Sequence, residues 1–388
     1  MAFALPKRKS VRLRHKVRVG RLACFLQGLS VSAWAPLIPF IAAGLNLDTA
    51  EVTALVFSFG AGSVSGMLLV SVLIPLRGPR GAYLGSVLTI ALPLIALAQL
   101  PAFTLTLPLS FILGMGVGGL DIWGSIYGAY LEKHYRIRVI GPLYALFSLG
   151  EILGAGLVML LLTLRLEVGE AIPALVSMVL LTAIYYVPCV DRELEREKSG
   201  GKRVYLLPRG VVIPLSLTVA IIFMAGGAMV DWSGLYLNAM GLPLDYASSG
   251  YLLVSVAMCI TRFFSNSLVR RLSELRLVLG GTLLTAAGLA LSAFAPSLPL
   301  ALTGFILTGA GMGNISPLTI RAVTRQQTMP MVAAVAVLSI TGYAALLLGP
   351  ALLGITAQAV TLKGVFILLS LLALGAALLV YRTRALYR

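Results

Sequence analysis

The sequence is poor in charge and in metal-binding side chains, and both shortages narrow the possible classes of protein. Only 11% of its 388 residues are charged, whereas an average soluble domain has about 25%. Its two histidines (His15, His134) and three cysteines (Cys24, Cys189, Cys259) lack the spacing of a metal site or a disulfide framework. The composition therefore excludes an ordinary soluble enzyme and predicts no metal centre and no cofactor.

Apolar stretches, in contrast, fill the chain almost from end to end. A hydrocarbon core of about 30 Å requires about 20 apolar residues in a helix, and these stretches lack the two-residue alternation of a membrane barrel. The sequence predicts an all-α membrane protein with twelve transmembrane helices. The expected spans are 18–43, 52–75, 82–99, 105–130, 140–163, 171–190, 210–238, 246–268, 277–295, 300–320, 331–357 and 364–381.

The basic residues lie almost entirely on one side of these spans. With the N-terminus inside, 27 of the 30 Lys and Arg residues fall in segments that face the cytoplasm. This asymmetry predicts a multi-pass protein of the cell (inner) membrane with both termini cytoplasmic. The net charge of +16 then faces anionic lipid headgroups, which argues against nucleic acid as a partner.

Matching segments divide the chain into two halves. Residues 111–113 (FIL) recur at 305–307, and YALFSLG at 144–150 returns as YAALLLG at 343–349; with the loops around Arg80 and Arg276, the offsets are 194, 199 and 196 residues. The predicted organisation is a basic cytoplasmic tail (1–17), an N-terminal six-helix domain (18–190), a cytoplasmic linker (191–209), a C-terminal six-helix domain (210–381) and a second cytoplasmic tail (382–388). Six helices in each half give parallel repeats, as in major facilitator transporters, whose substrate site lies near mid-membrane between the halves.

Several motifs resemble bacterial proteins of the major facilitator superfamily, in particular those of the YbjJ type. The resemblance is carried by GLSVSAWAPLIP (28–39), YALFSLGEILGAG (144–156), GGAMVDWSGLYL (226–237), TRF (261–263), PLTI (317–320) and TGYAALLLGPALLG (341–354). It implies a twelve-helix facilitator fold, relatives that include sugar-type permeases, and a cavity lined by the first, fourth, seventh and tenth spans. The loop after the second span keeps Gly78 and Arg80 of the superfamily's motif but lacks its aspartate.

Two acidic side chains lie deep within spans, where an ionisable group is costly and usually faces a cavity or a partner. Asp121 lies roughly 15 Å from the expected inner end of the fourth span, and Glu151 has a similar depth in the fifth. Both are predicted to couple transport to protons, because a carboxyl group there can load and release a proton as its surroundings change. The structural alternative is a hydrogen bond to a neighbouring helix. The repeat aligns Glu151 with Pro350, and Asp121 with the region 314–315, so both acids belong only to the first half.

Further polar and aromatic residues are candidates for the substrate site and for gating. The predicted substrate-binding residues are Gln27, Trp34, Ser125, Tyr127, Tyr144, Asn314 and Tyr343. Apart from Trp34, whose indole offers a stacking face, each of them could instead form an interhelical hydrogen bond. The predicted gating residues are Arg262, Asp231 and Trp232. Arg262 is expected to pair with Glu151 in one state, or alternatively to extend to the inner surface; Asp231 and Trp232 could instead anchor a helix end.

These observations predict a secondary transporter, not an enzyme, that works as a monomer. The expected substrate is a small neutral or weakly charged organic solute, sugar-like or amphipathic, moved by alternating access with protons as the coupled ion. The sequence contains no Walker-type loop, which disfavours a pump driven by ATP. Efflux of amphipathic compounds and a non-transporting receptor or scaffold are the alternatives.

Overall fold

The computed structural model describes residues 7–47, 49–99, 102–163, 168–190, 207–241 and 249–387. Within these ranges every element of regular secondary structure is a helix, and no strand occurs. The helices are α1 (Lys7–Leu45), α2 (Thr49–Leu97), α3 (Phe103–Tyr135), α4 (Ile140–Thr163), α5 (Val168–Tyr186), α6 (Val212–Ala239), α7 (Ser249–Phe263), α8 (Ser265–Leu272), α9 (Glu274–Phe294), α10 (Leu298–Met312), α11 (Ile315–Val323) and α12 (Met331–Arg382). Most of the predicted linker, at 191–206, lies outside the described residues.

The long apolar helices confirm the all-α membrane fold that hydropathy predicts. The described residues contain seven helices that could cross a membrane, or eight if the bent pair α7 and α8 counts as one span. Two shorter apolar segments, Ile140–Gly154 and Met331–Leu346, lie where the fifth and eleventh spans are expected. Two helices, α2 and α12, each run through two expected spans. α1 begins at Lys7, so helix also covers most of the expected N-terminal tail.

A left-handed backbone turn separates the two expected spans within α2. Gly78 adopts φ 84° and ψ 163° there, a conformation that is essentially restricted to glycine. Ser273, between α8 and α9, adopts nearly the same conformation, with φ 70° and ψ 159°. The two turns lie 195 residues apart, in the loops that carry Arg80 and Arg276. The repeat seen in the sequence is therefore visible in the backbone.

The chain divides into two compact units. The first unit comprises residues 1–139 and 146–204, and the second comprises residues 140–145 and 205–388. The first turn of α4 thus groups with the second unit, and the rest of α4 with the first.

Close helix contacts at glycines repeat between the units with a constant offset. In each pair, a Cβ on the glycine would stand within 3.4 Å of the other residue's backbone, so only glycine permits the contact. The pairs are Gly114 with Phe59 and Gly118 with Ser63 in the first unit, and Gly309 with Val254 and Gly313 with Met258 in the second. Each residue of the first unit's pairs lies 195 positions before its counterpart in the second unit. The pairing of α2 with α3 is therefore repeated by the pairing of α7 with α10 and the residue that follows α10.

A second set of glycine contacts repeats with an offset of 199. It consists of Gly28 with Phe147 and Gly150 with Phe25 in the first unit, and of Gly227 with Leu346 and Gly349 with Met224 in the second. In the first unit the nearest atoms belong to the backbone, whereas in the second they belong to side chains. The two units therefore share equivalent helix contacts but differ in how closely these helices approach each other.

Candidate functional site

The first unit brings together two of the predicted site residues, Gln27 and Asp121. Gln27 lies on α1, is 2% exposed, and donates a hydrogen bond of 3.2 Å from its Nε2 to Oδ1 of Asp121 on α3. The Asp121 side chain is half-buried. An amide and a carboxyl group on different helices are thus joined within apolar spans, where each needs a polar partner.

Small residues allow α1 to approach α3 beside this pair. The thiol of Cys24, one turn before Gln27, lies 3.1 Å from the point where a Cβ on Gly124 would stand. Ser125, one turn after Asp121, is 5% exposed and faces the interior of the unit. The glycines and serines of the fourth span therefore serve to bring the polar groups within reach of each other.

Aromatic rings stack along α3 below the pair. Tyr127 is fully buried, and its ring stacks on Trp123 at 4.6 Å between ring centroids; the ring of Tyr83 on α2 also contacts Trp123, tilted by 44°, at 4.9 Å. The indole Nε1 of Trp123 donates a hydrogen bond of 2.8 Å to the carbonyl oxygen of Pro79, directly after the Gly78 turn. In this arrangement Tyr127 is part of an aromatic core, although the sequence predicts it as a substrate-binding residue.

Trp34 is also packed into the first unit. Its indole is 5% exposed and stacks on Phe59 of α2, with 5.2 Å between the centroids and 17° between the planes. Glu151 lies on α4 directly after Gly150, which contacts the α1 backbone at Phe25, and its side chain is half-buried. The proposed pairing of Glu151 with Arg262 remains a prediction.

In the second unit, Arg262 and Asn314 meet at breaks in two helices. Arg262 Nε donates a hydrogen bond of 3.2 Å to the carbonyl oxygen of Gly313, and Asn314 Nδ2 donates one of 3.1 Å to the carbonyl oxygen of Thr261. Pro317, four residues after Gly313, has no backbone N–H, so it cannot donate a helical hydrogen bond to the Gly313 carbonyl oxygen. The proline therefore breaks the tenth span into α10 and α11 and makes that carbonyl available to Arg262.

The same cluster contains an aromatic ring and a buried acceptor. The guanidinium carbon of Arg262 lies 5.6 Å from the ring centroid of Tyr144, a distance at which a cation and a ring attract each other. Within the part of the chain that the structure describes, the side-chain oxygen of Asn314 is buried and accepts no hydrogen bond. Arg262, Tyr144 and Asn314, three predicted site residues, are therefore brought together.

The remaining predicted residues lie on α6 and α12. Tyr343 is half-buried, and its ring lies 5.5 Å from that of Phe223. The backbones of Asp231 and Trp232 belong to α6, but their side chains lie outside the described residues. Their role in gating therefore stays a prediction.

A buried ionic cluster at the basic end of the second unit was not predicted from the sequence. Glu274, 5% exposed, accepts hydrogen bonds of 3.2 Å from Arg321 and of 2.7 and 3.1 Å from Arg325. Arg325 also donates a hydrogen bond of 2.7 Å to the carbonyl oxygen of Leu386. The sequence features that could have indicated this cluster are the acidic residue at the start of α9 and the arginines that follow the expected tenth span.

The C-terminal turn is held against this cluster. The phenol of Tyr387 is 1% exposed and lies 3.2 Å from the hydroxyl of Thr319 on α11. Burial raises the pKa of Tyr387 well above its ordinary value, and the charge of Glu274 acts in the same direction, partly offset by the hydrogen bond to Thr319. The neutral phenol is therefore the form that fits this position.

Known proteins resemble this chain in sequence and in fold. The profile of the Major Facilitator Superfamily matches residues 22–330. An uncharacterized MFS-type transporter of Yersinia pestis is 34% identical over 363 residues, which is 92% of this chain and 93% of that protein. The chain belongs to the major facilitator superfamily. The uncharacterized transporter y4wD of Sinorhizobium fredii is also similar, 26% identical over 90% of this chain and 93% of its own length.

Solved structures show the same fold. The E. coli fucose:proton symporter FucP matches with a TM-score of 0.78 over 95% of this chain and 98% of its own, at 14% identity. The proton:xylose symporter XylE matches with a TM-score of 0.73 over 98% and 100%, at 13% identity. Membership of this superfamily makes the chain a membrane transporter and not an enzyme, and the predicted twelve-helix fold is consistent with these structural neighbours.

The repeat offsets correct one alignment made from the sequence. The contacts around Gly118 and Gly313 are 195 residues apart, so Asp121 corresponds to Ser316, one residue beyond the expected region 314–315. The sequence matches used for that alignment lay at the start of the tenth span, where an offset of 194 also fits. Asp121 still belongs only to the first unit.

Proposed function

We propose that this facilitator moves a small neutral or weakly charged organic solute, sugar-like or amphipathic, together with protons by alternating access. The hydrogen bond of 3.2 Å between Gln27 and Asp121 is the observation that carries the proposal. It places a carboxyl group that can hold or lose a proton beside a neutral amide inside the spans. In this superfamily, such residues lie in the region where substrate and coupling ions bind.

The chemistry of Gln27 suits both protonation states of Asp121. When Asp121 is ionised, it accepts a hydrogen bond from the amide nitrogen of Gln27, as it does in the structure. When Asp121 is protonated, its hydroxyl can donate to the amide oxygen of a rotated Gln27. Asp121 can therefore bind and release a proton and keep its hydrogen bond to Gln27 in both forms. Loss of a hydrogen bond by a buried polar group would cost about 1–3 kcal/mol.

The polar groups of the second unit support the choice of solute. The buried side-chain oxygen of Asn314 can accept a hydrogen bond from a hydroxyl group, and Tyr144 and Tyr343 are half-buried rings on which a sugar face can pack. The names of two structural neighbours, a fucose:proton and a xylose:proton symporter, agree with this class of substrate.

Proton flux into proteoliposomes tests the proposal. Purified protein is reconstituted with a pH-sensitive dye inside, and L-fucose, D-xylose and other monosaccharides are added outside one at a time. We expect at least one sugar to acidify the interior, Asp121→Asn to abolish that signal, and Glu170→Gln to retain it. Glu170 is an exposed acid in the first turn of α5, so its substitution removes the same charge away from the proposed site.

The same assay distinguishes the alternatives. Efflux by proton exchange would instead make the interior more alkaline when an amphipathic compound is added outside, because exchange moves protons in the direction opposite to the compound. A receptor or scaffold would give no flux with any compound. Retention of full sugar-driven acidification in Asp121→Asn would contradict the proposed role of that residue.

We also propose that both termini lie in the cytoplasm of a cell whose inner membrane holds the protein as a monomer. The distribution of 27 of 30 basic residues supports this topology. Fluorescent-protein fusions before residue 1 and after residue 388 should fluoresce if both termini are cytoplasmic, because such fusions fold only there.

A further inference from the structure

The short helix α8 is fixed to the second unit along one side. It follows α7 after a bend of 64° at Phe264. Ser265 and Val269 of α8 are 1% and 4% exposed, and the Ser265 hydroxyl lies 2.8 Å from the point where a Cβ on Gly141 would stand. Any residue other than glycine at position 141 would push α8 away, so its position is set by tight packing.

The opposite side of this bend exposes aromatic and basic side chains. Phe263, Phe264 and Leu272 are 70%, 54% and 43% exposed, and the two phenylalanine rings meet edge to face at 5.7 Å. Arg270 and Arg271 are also exposed. We call these five residues the α8 patch.

The bend gives the α8 patch the depth of a membrane interface. From Phe264 to Arg270 the helix advances about 9 Å along its own axis, but because of the bend of 64° this is only about 4 Å along the axis of α7. The headgroup region of each leaflet is about 5–8 Å thick. Rings at the hydrocarbon boundary would thus place the two guanidinium groups among the lipid phosphates.

The segment that carries the α8 patch has no acidic residue of its own to neutralise the two arginines. Residues 263–273 contain no Asp or Glu. The nearest acid in sequence, Glu274, is buried and already binds Arg321 and Arg325. Arg270 donates a hydrogen bond of 3.2 Å to the Ser267 hydroxyl, which orients its side chain along the outer surface of α8.

We propose that the α8 patch is a docking site for an anionic phospholipid. The guanidinium groups of Arg270 and Arg271 bind the phosphate, since arginine presents paired donors that match phosphate oxygens. The rings of Phe263 and Phe264 pack against the first part of the acyl chains. This site is independent of the solute that the transporter carries, and it gives one location to the general attraction between the basic face and anionic lipid.

Equilibrium binding to phosphatidylglycerol tests the proposal. The purified transporter in neutral detergent is titrated with a pyrene-labelled phosphatidylglycerol and, separately, with pyrene-labelled phosphatidylcholine. We expect the double variant R270Q/R271Q to bind phosphatidylglycerol about 25-fold more weakly, at about fivefold for each arginine, with little change for phosphatidylcholine. The double variant R77Q/R136Q is the matched control, because it removes two exposed arginines from the first unit and should bind like the unaltered protein.

Further variants separate lipid from a free anion and from misfolding. Soluble glycerol phosphate should not compete at concentrations that saturate the lipid, because it lacks the chains that contact Phe263 and Phe264. The double variant R270K/R271K keeps the charge and should retain part of the preference for phosphatidylglycerol. Equal weakening in R270Q/R271Q and R77Q/R136Q, or undiminished binding in R270Q/R271Q with normal elution as a folded monomer, would overturn the proposal.

Discussion

Substitution of two equivalent glycines by alanine should affect stability differently, with a loss at one position and none at the other. A Cβ on Gly28 would stand 2.9 Å from the backbone nitrogen of Glu151 and closer still to the carbonyl oxygen of Phe147. Backbone atoms in a packed helix cannot move aside, so overpacking here costs about 1–3 kcal/mol or more. The gain in helix propensity from glycine to alanine is about 1 kcal/mol. We therefore expect Gly28→Ala to destabilise the protein.

The equivalent position in the second unit, Gly227, has a different neighbour. A Cβ there would stand 3.2 Å from Cδ1 of Leu346 and 3.5 Å from its carbonyl oxygen. The end of a leucine side chain can rotate away, so the steric cost is small and the gain of about 1 kcal/mol in helix propensity remains. Gly227→Ala should be neutral or stabilising.

Thermal unfolding in detergent, followed by size-exclusion chromatography of the soluble fraction, measures both variants. Gly85→Ala is the control, because nothing lies within 4 Å of a Cβ at that helical position; it reports the propensity gain alone. We expect the apparent transition temperature to fall for Gly28→Ala and to be unchanged or raised for the other two. Equal transition temperatures for Gly28→Ala and Gly227→Ala would refute the inference that the first unit packs these helices backbone to backbone.

Four further substitutions test features of the second unit. Ser273→Gly should raise the apparent transition temperature, because it relieves a left-handed conformation (φ 70°) that costs a non-glycine residue about 1–3 kcal/mol. Glu274→Gln should destabilise by about 3–5 kcal/mol in thermal unfolding, because it leaves the buried guanidinium of Arg321 without its ion partner, and Arg325→Gln should cost less because Arg325 is 35% exposed. The pKa of Tyr387 is raised in the folded protein, so Tyr387 contributes fully to stability below the ordinary tyrosine pKa of about 10, and this contribution declines as the pH rises further. Tyr387→Phe should therefore remove the part of the loss of stability above about pH 10 that is due to this phenol. Unfolding scans from pH 8 to 11 check this, and parallel declines in both proteins would contradict it.

The membrane fold was predictable because hydropathy and charge act over whole segments. Twenty-residue apolar stretches and one-sided basic residues do not depend on individual contacts. Local geometry was less accessible. Nothing in the residue pattern before Ser273 indicates that a serine would adopt the turn that Gly78 adopts in the first unit, since serine is common in many kinds of turn.

The candidate site was predictable in part. A lone acid in an apolar span indicates function through its cost, so Asp121 and its neighbour on α1, Gln27, could be selected from the sequence. The contact of Arg262 with Gly313 could have been inferred from Pro317, because a proline within a span always frees a carbonyl four residues earlier. The burial of Trp34 against Phe59 could not, because an indole suits a cavity and a helix interface equally well.

The repeat also shows which polar groups are not shared by the two units. With the offsets found in the packing, Asp121 corresponds to Ser316, Gln27 to Gly226, and Arg262 to Met67, which is fully buried. The carboxyl–amide pair therefore belongs to the first unit alone, and the guanidinium at a helix break to the second alone. Duplication supplies the common glycine contacts that hold each unit together, and substitution at a few corresponding positions supplies the chemistry. The carboxyl–amide pair and the guanidinium each correspond to small or apolar residues in the other unit, so neither belongs to the glycine contacts that the two units share. Loss of flux in Asp121→Asn would therefore report on proton coupling and not on helix packing.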